Sequence, residues 1–426
     1  MRSAVDGQCE SMAEVTFSGD LSAPDPVPEA GIEAAVRLLR DGRLFRYGED
    51  RSSIPEAALL EQEFAAYQGR KYCVAVNSGG CAIFLALKAA GVCAGDKVLV
   101  NAFTLAPVPG AISHAGADPV LVDINDRYVV DLEDLDRKAA ESGAGFFLMS
   151  FMRGHIPDMD AVVEICARHG ITMIEDCAHT MGGGWNGRLT GTFGKAGCFS
   201  AQTFKQINSG EGGLIVTDDE DLAARAILLS GSYMLYAQHR ARPPMEVFER
   251  HRFSTPNCSM RMSGLVAALL RPQLASLDER NLRWRRIYDT LAAELAGIDG
   301  LVLPARPAEE DFAPTSMQFS VSPDLLDDGQ LAHFIQDADA HGVHVKWFGA
   351  TDPVGFTSRH DHWRYIDGSA AGAVPNADRI LSRLCDFRLP LWLSEADCRT
   401  IAAVLKQAVA AARSVGNGSE KIRHTA

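Results

Sequence analysis

CFSAQTFKQINSGEGG, residues Cys198 to Gly213, decides how the rest of the chain reads. An apolar run from Ala196 to Ser200 leads into a polar turn carrying one lysine, Lys205. The turn closes on Gly210, Gly212 and Gly213 before a second apolar strand, LIVT. Glycines admit tight turns and close backbone approach to a ligand. A lysine in an enclosed site loses solvation, its pKa falls, and its free amine attacks a carbonyl to form a Schiff base. The competing reading is an ordinary surface lysine in a hairpin loop. What moves the balance lies upstream, at Asp176.

Asp176 falls in GITMIEDCAHT, whose apolar residues Ile171, Met173 and Ile174 read as a buried parallel strand after the helix DMDAVVEICARHG. Catalytic side chains of open parallel sheets sit outside the carboxyl ends of strands, which is where Asp176 falls. Alone it reads equally as a helix N-cap. A carboxylate paired with a Schiff-base lysine is what pyridoxal phosphate requires, because the acid keeps the pyridine nitrogen protonated and the ring an electron sink.

The elements VAVNSGGCAIFLAL, VLVNAFT, the DMDAV helix, IEDCAHTMGG, GTFGKAGCFSAQTFK, NSGEGG and SMRMSGLVAALLRPQL occur in this order. Together they resemble the DegT/DnrJ/EryC1/StrS family of pyridoxal-phosphate sugar aminotransferases, over roughly residues 30 to 412. The resemblance implies the aspartate-aminotransferase-like fold (fold type I), an α/β chain with a large, mostly parallel-sheet domain and a smaller α+β C-terminal domain. It also implies a homodimer with shared active sites, and amination of keto-sugars or keto-cyclitols.

Composition agrees with an enzyme of that size. The 426 residues are 47% hydrophobic and 23% charged, an ordinary globular balance and too long for one simple core. A net charge of −14 argues against nucleic acid or an acidic membrane as partner, since both need a positive face. Ten cysteines without a CxxC pair read as buried reduced thiols, not a disulfide framework or a metal site, and imply the cytoplasm. Cys177 beside Asp176 reads as a small packing residue. No apolar run reaches the roughly 18 residues a membrane helix needs, and the N-terminus lacks the pattern of a signal peptide.

The expected division is a disordered extension over residues 1–27, an N-terminal segment and large domain over 28–290, a small domain over 291–412 and a disordered tail over 413–426. An amphipathic helix ended by Gly42 and a second helix with Pro55 in its first turn and Gly69 after its end open the ordered part. The turn Ser78, Gly79, Gly80 opens a helix with free N–H groups and a positive dipole end, which suits a phosphate. The family carries a comparable Ser-Gly-Thr turn at its cofactor phosphate, so this chain departs at Gly80.

The resemblance supplies further expectations. An aromatic ring stacks on the cofactor near Thr104; either Phe103 or Leu105 takes that place here, with Phe103 preferred, although it reads equally as a core residue. His179 lies beside the cofactor's phenolic oxygen, and Ser200 contacts its phosphate. In the Arg- and His-rich segment that crosses to the neighbouring subunit, Asn257 or Ser259 reaches that subunit's phosphate, with Asn257 preferred and Arg261 structural. Arg153 and His155, just past the strand GFFLMS, are candidate substrate contacts; Arg153 either grips a carboxylate or phosphate or forms a salt bridge. Lys346, Trp347, Arg359 and His360 lie in a stretch that departs from the family and are further candidates, the alternative being a solvated loop.

The activity expected is ping-pong transamination. Glutamate or glutamine gives its amino group to a keto or aldehyde group of a sugar, a sugar acid (an octulosonate among them) or a cyclitol. Lys205 moves the proton and Asp176 stabilises the ring cation. Racemisation or decarboxylation of an amino acid is compatible with the same residues, as is a non-enzymatic cofactor-binding regulator. Sugar dehydration, which relatives perform with histidine in place of the lysine, is opposed by Lys205.

Overall fold

The computed structural model describes residues 14–48, 54–353, 355–356, 359–366 and 372–423, with side chains through Val415. Strands β1 (Tyr72–Val76), β2 (Lys97–Asn101), β3 (Asp118–Val122), β4 (Phe146–Ser150), β5 (Thr172–Asp176), β8 (Ala196–Ser200) and β9 (Gly213–Thr217) form one seven-stranded sheet ordered β1-β9-β8-β5-β4-β2-β3. Only β9 runs against its neighbours. Segments such as YCVAV and FFLMS are apolar on successive residues, so both faces must be covered, and two hydrophobic layers cover them.

Helices alternate with the strands and begin where their sequences supply caps. Asp131, Asp158 and Asp219 each accept backbone N–H bonds at the starts of Leu132–Ser142, Met159–Arg168 and Glu220–Ser230. The helix and strand expected around DMDAVVEICARHG and Asp176 are Met159–Arg168 and β5. The two opening helices are Glu29–Asp41 and Glu56–Gln68, closed by Gly42 and Gly69 at φ 70° and 65°. Pro55 stands one place earlier than expected, at the N-cap.

The opening segment is pinned by a buried ionic knot. Arg46 donates to both oxygens of Glu61 at 2.8 and 2.7 Å, with the two side chains 1% and 0% exposed. Glu61 also accepts from the Ala75 N–H of β1 at 2.8 Å and faces His239 at 3.0 Å. Breaking such a pair from one side leaves a buried charge uncompensated.

A third core belongs to the C-terminal part. Strands β10 (Leu301–Val302), β12 (Ser316–Val321), β13 (Lys346–Trp347) and β14 (Leu384–Arg388) form a sheet ordered β10-β12-β14-β13. Helices Asp328–Ala340 and Glu395–Arg423 pack with it, together with Trp284, Ile287, Tyr288 and Leu291 of the linking helix Leu277–Leu295. The short strands β6 (Gly184–Trp185) and β7 (Arg188–Leu189) pair with each other and β6 pairs with β11 (Glu310–Asp311), tying the two parts together.

Two terminal expectations are corrected. Residues 14–27, expected within a disordered extension, hold fixed positions. Phe17 and Leu21 are buried in the third core, Phe17 N–H donates to His341 O at 2.9 Å, and the Phe17 ring stacks on Trp392. At the other end the closing helix continues to Arg423, past the expected limit at 412, and Ala412 is the last buried side chain among those described. Among the described residues no helix is long and apolar enough to cross a membrane.

Candidate active site

Because β1, β2, β4, β5 and β8 run the same way, their carboxyl ends share one edge of the sheet. A cavity of about 710 Å³ opens there. Register decides what meets in it: Ser150 pairs with Asp176, and Asp176 with Cys198.

Asp176 is buried, and burial raises its pKa. The Ser150 hydroxyl donates to its carboxylate at 2.7 Å and the Ala178 N–H at 3.2 Å, both favouring the charged form. Thr104 donates in turn to the Ser150 hydroxyl at 2.7 Å. Asn101 at the end of β2 clamps the Ser150 backbone from both sides, accepting its N–H at 2.8 Å and donating to its carbonyl at 3.0 Å. The acid thus stands at the end of a directed hydrogen-bond chain crossing three strands.

Lys205 sits in the loop joining the antiparallel neighbours β8 and β9. The loop is cinched by Ala201 N–H to Gly212 O at 2.8 Å and Ser209 N–H to Ala201 O at 3.0 Å. The lysine amine lies 2.9 Å from His179 Nε2. Burial, with the charge of Arg153, pushes its pKa down to about 7, against a smaller pull upward from Asp176. Burial, with the positive charges of Lys205 and Arg153, pushes His179 well down, so the imidazole is neutral and accepts from the amine.

The turn after β1 supplies the third component. Ser78 caps helix Gly79–Ala90, accepting Cys81 N–H at 3.1 Å. A Cβ on Gly79 would lie 2.7 Å from Ser200 Cβ, and one on Gly213 would lie 2.2 Å from Ser78 O. Only glycine lets the helix start approach the Ser200 hydroxyl so closely. At Gly80 the nearest atom to an added Cβ is Pro107 Cβ at 3.8 Å, so packing does not demand a glycine there.

Ser78, Gly79, Gly80, Asp176, His179, Ser200, Lys205 and Arg153 all line the cavity. Other candidates fall elsewhere. Phe103 is fully buried, its ring edge-on to Phe348 at 5.3 Å, whereas Leu105 and Thr104 face the cavity. Of the two candidates for covering the ring, Leu105 and not Phe103 stands on the cavity wall. His155 is buried and absent from the cavity wall, 2.9 Å from Gln318 Oε1 and stacked on Phe312, so the structure does not bring this candidate substrate contact to the site. Arg359 is committed to Asp361 at 2.6 and 3.0 Å and is absent from the cavity wall. Lys346 donates to Phe356 O at 2.9 Å and lies over that ring, 3.1 Å from its centroid; Phe356 lines the cavity and Lys346 does not. Arg153 is ion-paired to Asp386 of β14. Asn257 lies outside the cavity on an exposed turn, accepting from Ser259 N–H at 2.9 Å.

Sequence reading passed over Ser150, Thr104, Phe204 and Arg388. Only Arg388 carried a signal, standing in the FRLPLWL ending that matches the family.

An enclosed amine of low pKa, a buried carboxylate and a helix start beside a serine hydroxyl are the donor set that pyridoxal phosphate requires. A family model described as the DegT/DnrJ/EryC1/StrS aminotransferase family matches residues 33–406. The chain belongs to this family. Its members depend on pyridoxal phosphate, and in this aminotransferase the cavity residues that could hold it are Lys205, Asp176, His179, Ser78, Gly79 and Ser200.

Among named relatives of this aminotransferase, the L-glutamine:2-deoxy-scyllo-inosose aminotransferase of Streptoalloteichus tenebrarius is 31% identical over 406 residues, covering 89% of this chain and 92% of the relative. The spore coat polysaccharide biosynthesis protein SpsC of Bacillus subtilis is 34% identical over 59% of this chain, and the match spans 64% of its own length. The crystal structure of 3-amino-5-hydroxybenzoic acid synthase superposes with a TM-score of 0.76 at 27% identity, covering 91% of this chain and 98% of that one.

Proposed function

We propose that this aminotransferase moves the amino group of glutamine or glutamate to a ketone on a cyclitol or sugar, in two half-reactions of ping-pong form. The observation that carries the reading is the Lys205 amine, held 2.9 Å from a neutral His179 and pushed to a pKa of about 7, in one cavity with Asp176 and the Ser78–Ser200 cradle. Glutamine as donor and a cyclitol ketone as acceptor follow the relative that covers nearly the whole chain.

Bound pyridoxal phosphate supplies the electron sink and carries the amino group between the two substrates. The chain's own groups do the rest. Near neutral pH the Lys205 amine is half deprotonated, so it accepts a proton from the donor's α-carbon and returns one to the acceptor. His179 orients that amine through an acceptor nitrogen. Asp176, fixed by Ser150 and Ala178, would face the ring nitrogen, while the N–H groups opening helix Gly79–Ala90 and the Ser200 hydroxyl would hold the phosphate. Leu105 offers an apolar face to the ring.

A sugar acid such as an octulosonate is the second acceptor reading, favoured by the guanidinium groups of Arg153 and Arg388 on the cavity wall. The site is proposed to be completed by a second copy, with Asn257 reaching the neighbouring phosphate. Tyr233 and Phe253 on the same segment, and Phe45 nearby, are exposed apolar groups that such a partner would cover. Nine described cysteines are unpaired thiols, which supports a reducing, cytoplasmic setting.

The test is the visible spectrum of the holoenzyme before and after L-glutamine or L-glutamate, with Lys205→Ala beside it. Loss of the lysine-bound cofactor band with donor, and its return on adding a keto-cyclitol, is the expected result. A band that neither donor alters would refute the reading.

A further inference from the structure

Two residues of one loop on the seven-stranded sheet hold two residues of the C-terminal sheet. Arg153 and His155 stand on either side of Gly154, just past β4. Arg153 is ion-paired to Asp386 Oδ2 of β14, and His155 Nε2 lies 2.9 Å from Gln318 Oε1 of β12. Gln318 is opposite Asp386 in the β12–β14 register, and its Nε2 donates to Asp386 Oδ1 and to Ser316 Oγ, each at 2.7 Å. The four side chains, all buried, close a ring between the two sheets: Arg153, Asp386, Gln318, His155.

The proton positions in that ring follow from its donors. Because the Gln318 amide gives both its N–H groups away, its oxygen must accept, and His155 Nε2 must donate. Burial and the charge of Arg306 push the His155 pKa well down, so the imidazole is neutral and its Nδ1 is left to face Arg306 Nη2 at 3.4 Å. One full charge therefore remains on each side of the joint, Arg153 and Asp386. Removing either leaves the other buried without its partner.

The loop is bent to make these contacts. Arg153 has φ 59° and ψ 15°, a left-handed conformation that strains any residue carrying a Cβ and persists only where the surroundings hold it. Gly154 follows at φ 89°, and a Cβ there would lie 3.1 Å from His179 O. The strained turn thus rests against the residue whose ring stands 2.9 Å from the Lys205 amine. Charged and titratable groups approach that amine from every side: Asp176 and His179 after β5, Arg153 after β4, Arg388 on β14, Glu211 on its own loop and Asp25 on the N-terminal strap. Among the charges, that of Arg153 acts most strongly on the amine.

We propose that Arg153 and Asp386 are positioning residues, a clamp through which the seating of the C-terminal sheet fixes His179 and the charge beside the Lys205 amine. This rests on the aminotransferase reading above for its kinetic consequences only, because the clamp itself is judged on the apoprotein.

The experiment compares wild type with Arg153→Gln, Arg153→Lys and Asp386→Asn. In each apoprotein the Lys205 amine is titrated by trace acetylation with acetic anhydride at a series of pH values, the labelled lysine being read by peptide mass spectrometry. Arg153→Gln removes a positive charge, so the amine should hold its proton about three- to tenfold more tightly and its midpoint should rise. Asp386→Asn leaves the Arg153 charge uncompensated, so the midpoint should fall. Arg153→Lys keeps the charge and should stay close to wild type. General loosening of the pocket would instead move Arg153→Gln and Asp386→Asn in the same direction, toward the ordinary lysine value, and that result overturns the proposal. An unmoved midpoint in both variants overturns it too.

The reconstituted enzymes give a second reading, with L-glutamine and a neutral keto-cyclitol in separate half-reactions. A clamp should slow both half-reactions in Arg153→Gln and leave both half-saturation concentrations unchanged. A rise in one half-saturation concentration with an unmoved Lys205 midpoint would make Arg153 a substrate contact and refute the clamp. If Arg153→Gln does not fold, Asp386→Asn decides, and a midpoint that fails to fall there overturns the proposal. A wild-type enzyme that neither glutamine nor glutamate converts would sink the functional reading, while the apoprotein titrations would still judge the clamp.

Discussion

Lys205→Met should stabilise the apoprotein, and by an amount that depends on pH. In the folded chain the lysine ammonium loses its proton near pH 7, whereas in the unfolded chain it does so near the ordinary value of 10.5. Between those two values the unfolded state holds one proton more, so wild-type stability rises with pH across that window. A tenfold difference in proton affinity between the two states is worth about 1.4 kcal/mol, so the penalty on the charged lysine is on the order of 5 kcal/mol below pH 7 and vanishes above pH 10. Methionine fills similar space without a charge but forfeits the bond to His179, a loss of about 1 kcal/mol. The variant should then exceed wild type by roughly 3 kcal/mol at pH 7, with the gap closing by about 1.4 kcal/mol for each further step of one in pH. Urea unfolding of both apoproteins at a series of pH values and one protein concentration measures this, since all other titrations cancel in the difference. A gap that stays constant with pH would show that Lys205 is not an ammonium held out of water, and the case for its low pKa would collapse.

Other expectations follow from the same geometry. Ser150→Ala removes the 2.7 Å bond to Asp176, which should raise the aspartate pKa and weaken cofactor affinity by about 1.5–3 kcal/mol, read from apoprotein reconstitution at several pH values. Gly79→Ala should abolish cofactor retention because its Cβ meets Ser200 at 2.7 Å, whereas Gly80→Ala, with nothing nearer than 3.8 Å, should bind normally; equal affinities in the two would contradict the cradle. Glu61→Gln strands Arg46 in the interior and should cost about 3–5 kcal/mol in chemical denaturation.

What the sequence disclosed, and what it withheld, divides by distance along the chain. Asp176 and Lys205 were readable because each ends or follows an apolar strand, a local signal. Ser150 and Thr104 were not, since their roles arise from the lateral register of β2, β4 and β5, which no single segment encodes. Phe103 turns away from the cavity to pack on Phe348, a contact far away in sequence. Arg388 stood in the family-like FRLPLWL ending, but its place on the cavity wall exists only once β14 is set against the lysine loop. Residues 14–27 showed no periodicity because singular contacts with His341, Trp392 and Gln407 hold them, and such contacts leave no repeating trace.

The N-terminal strap bears on the order of assembly in the cell. Val15 N–H reaches Gln407 Oε1, 392 positions away, and the strap continues through Leu21 and Asp25 to the wall beside Lys205 and Arg388. At ribosomal speeds of roughly 5–20 residues per second, the strap waits about 20–80 seconds after its own synthesis before its last partner emerges. The large domain can close its sheet during that interval, but the flank of the catalytic loop cannot be sealed. A nascent chain released before Gln407 emerged would therefore lack the anchor that holds residues 14–27 beside the lysine pocket.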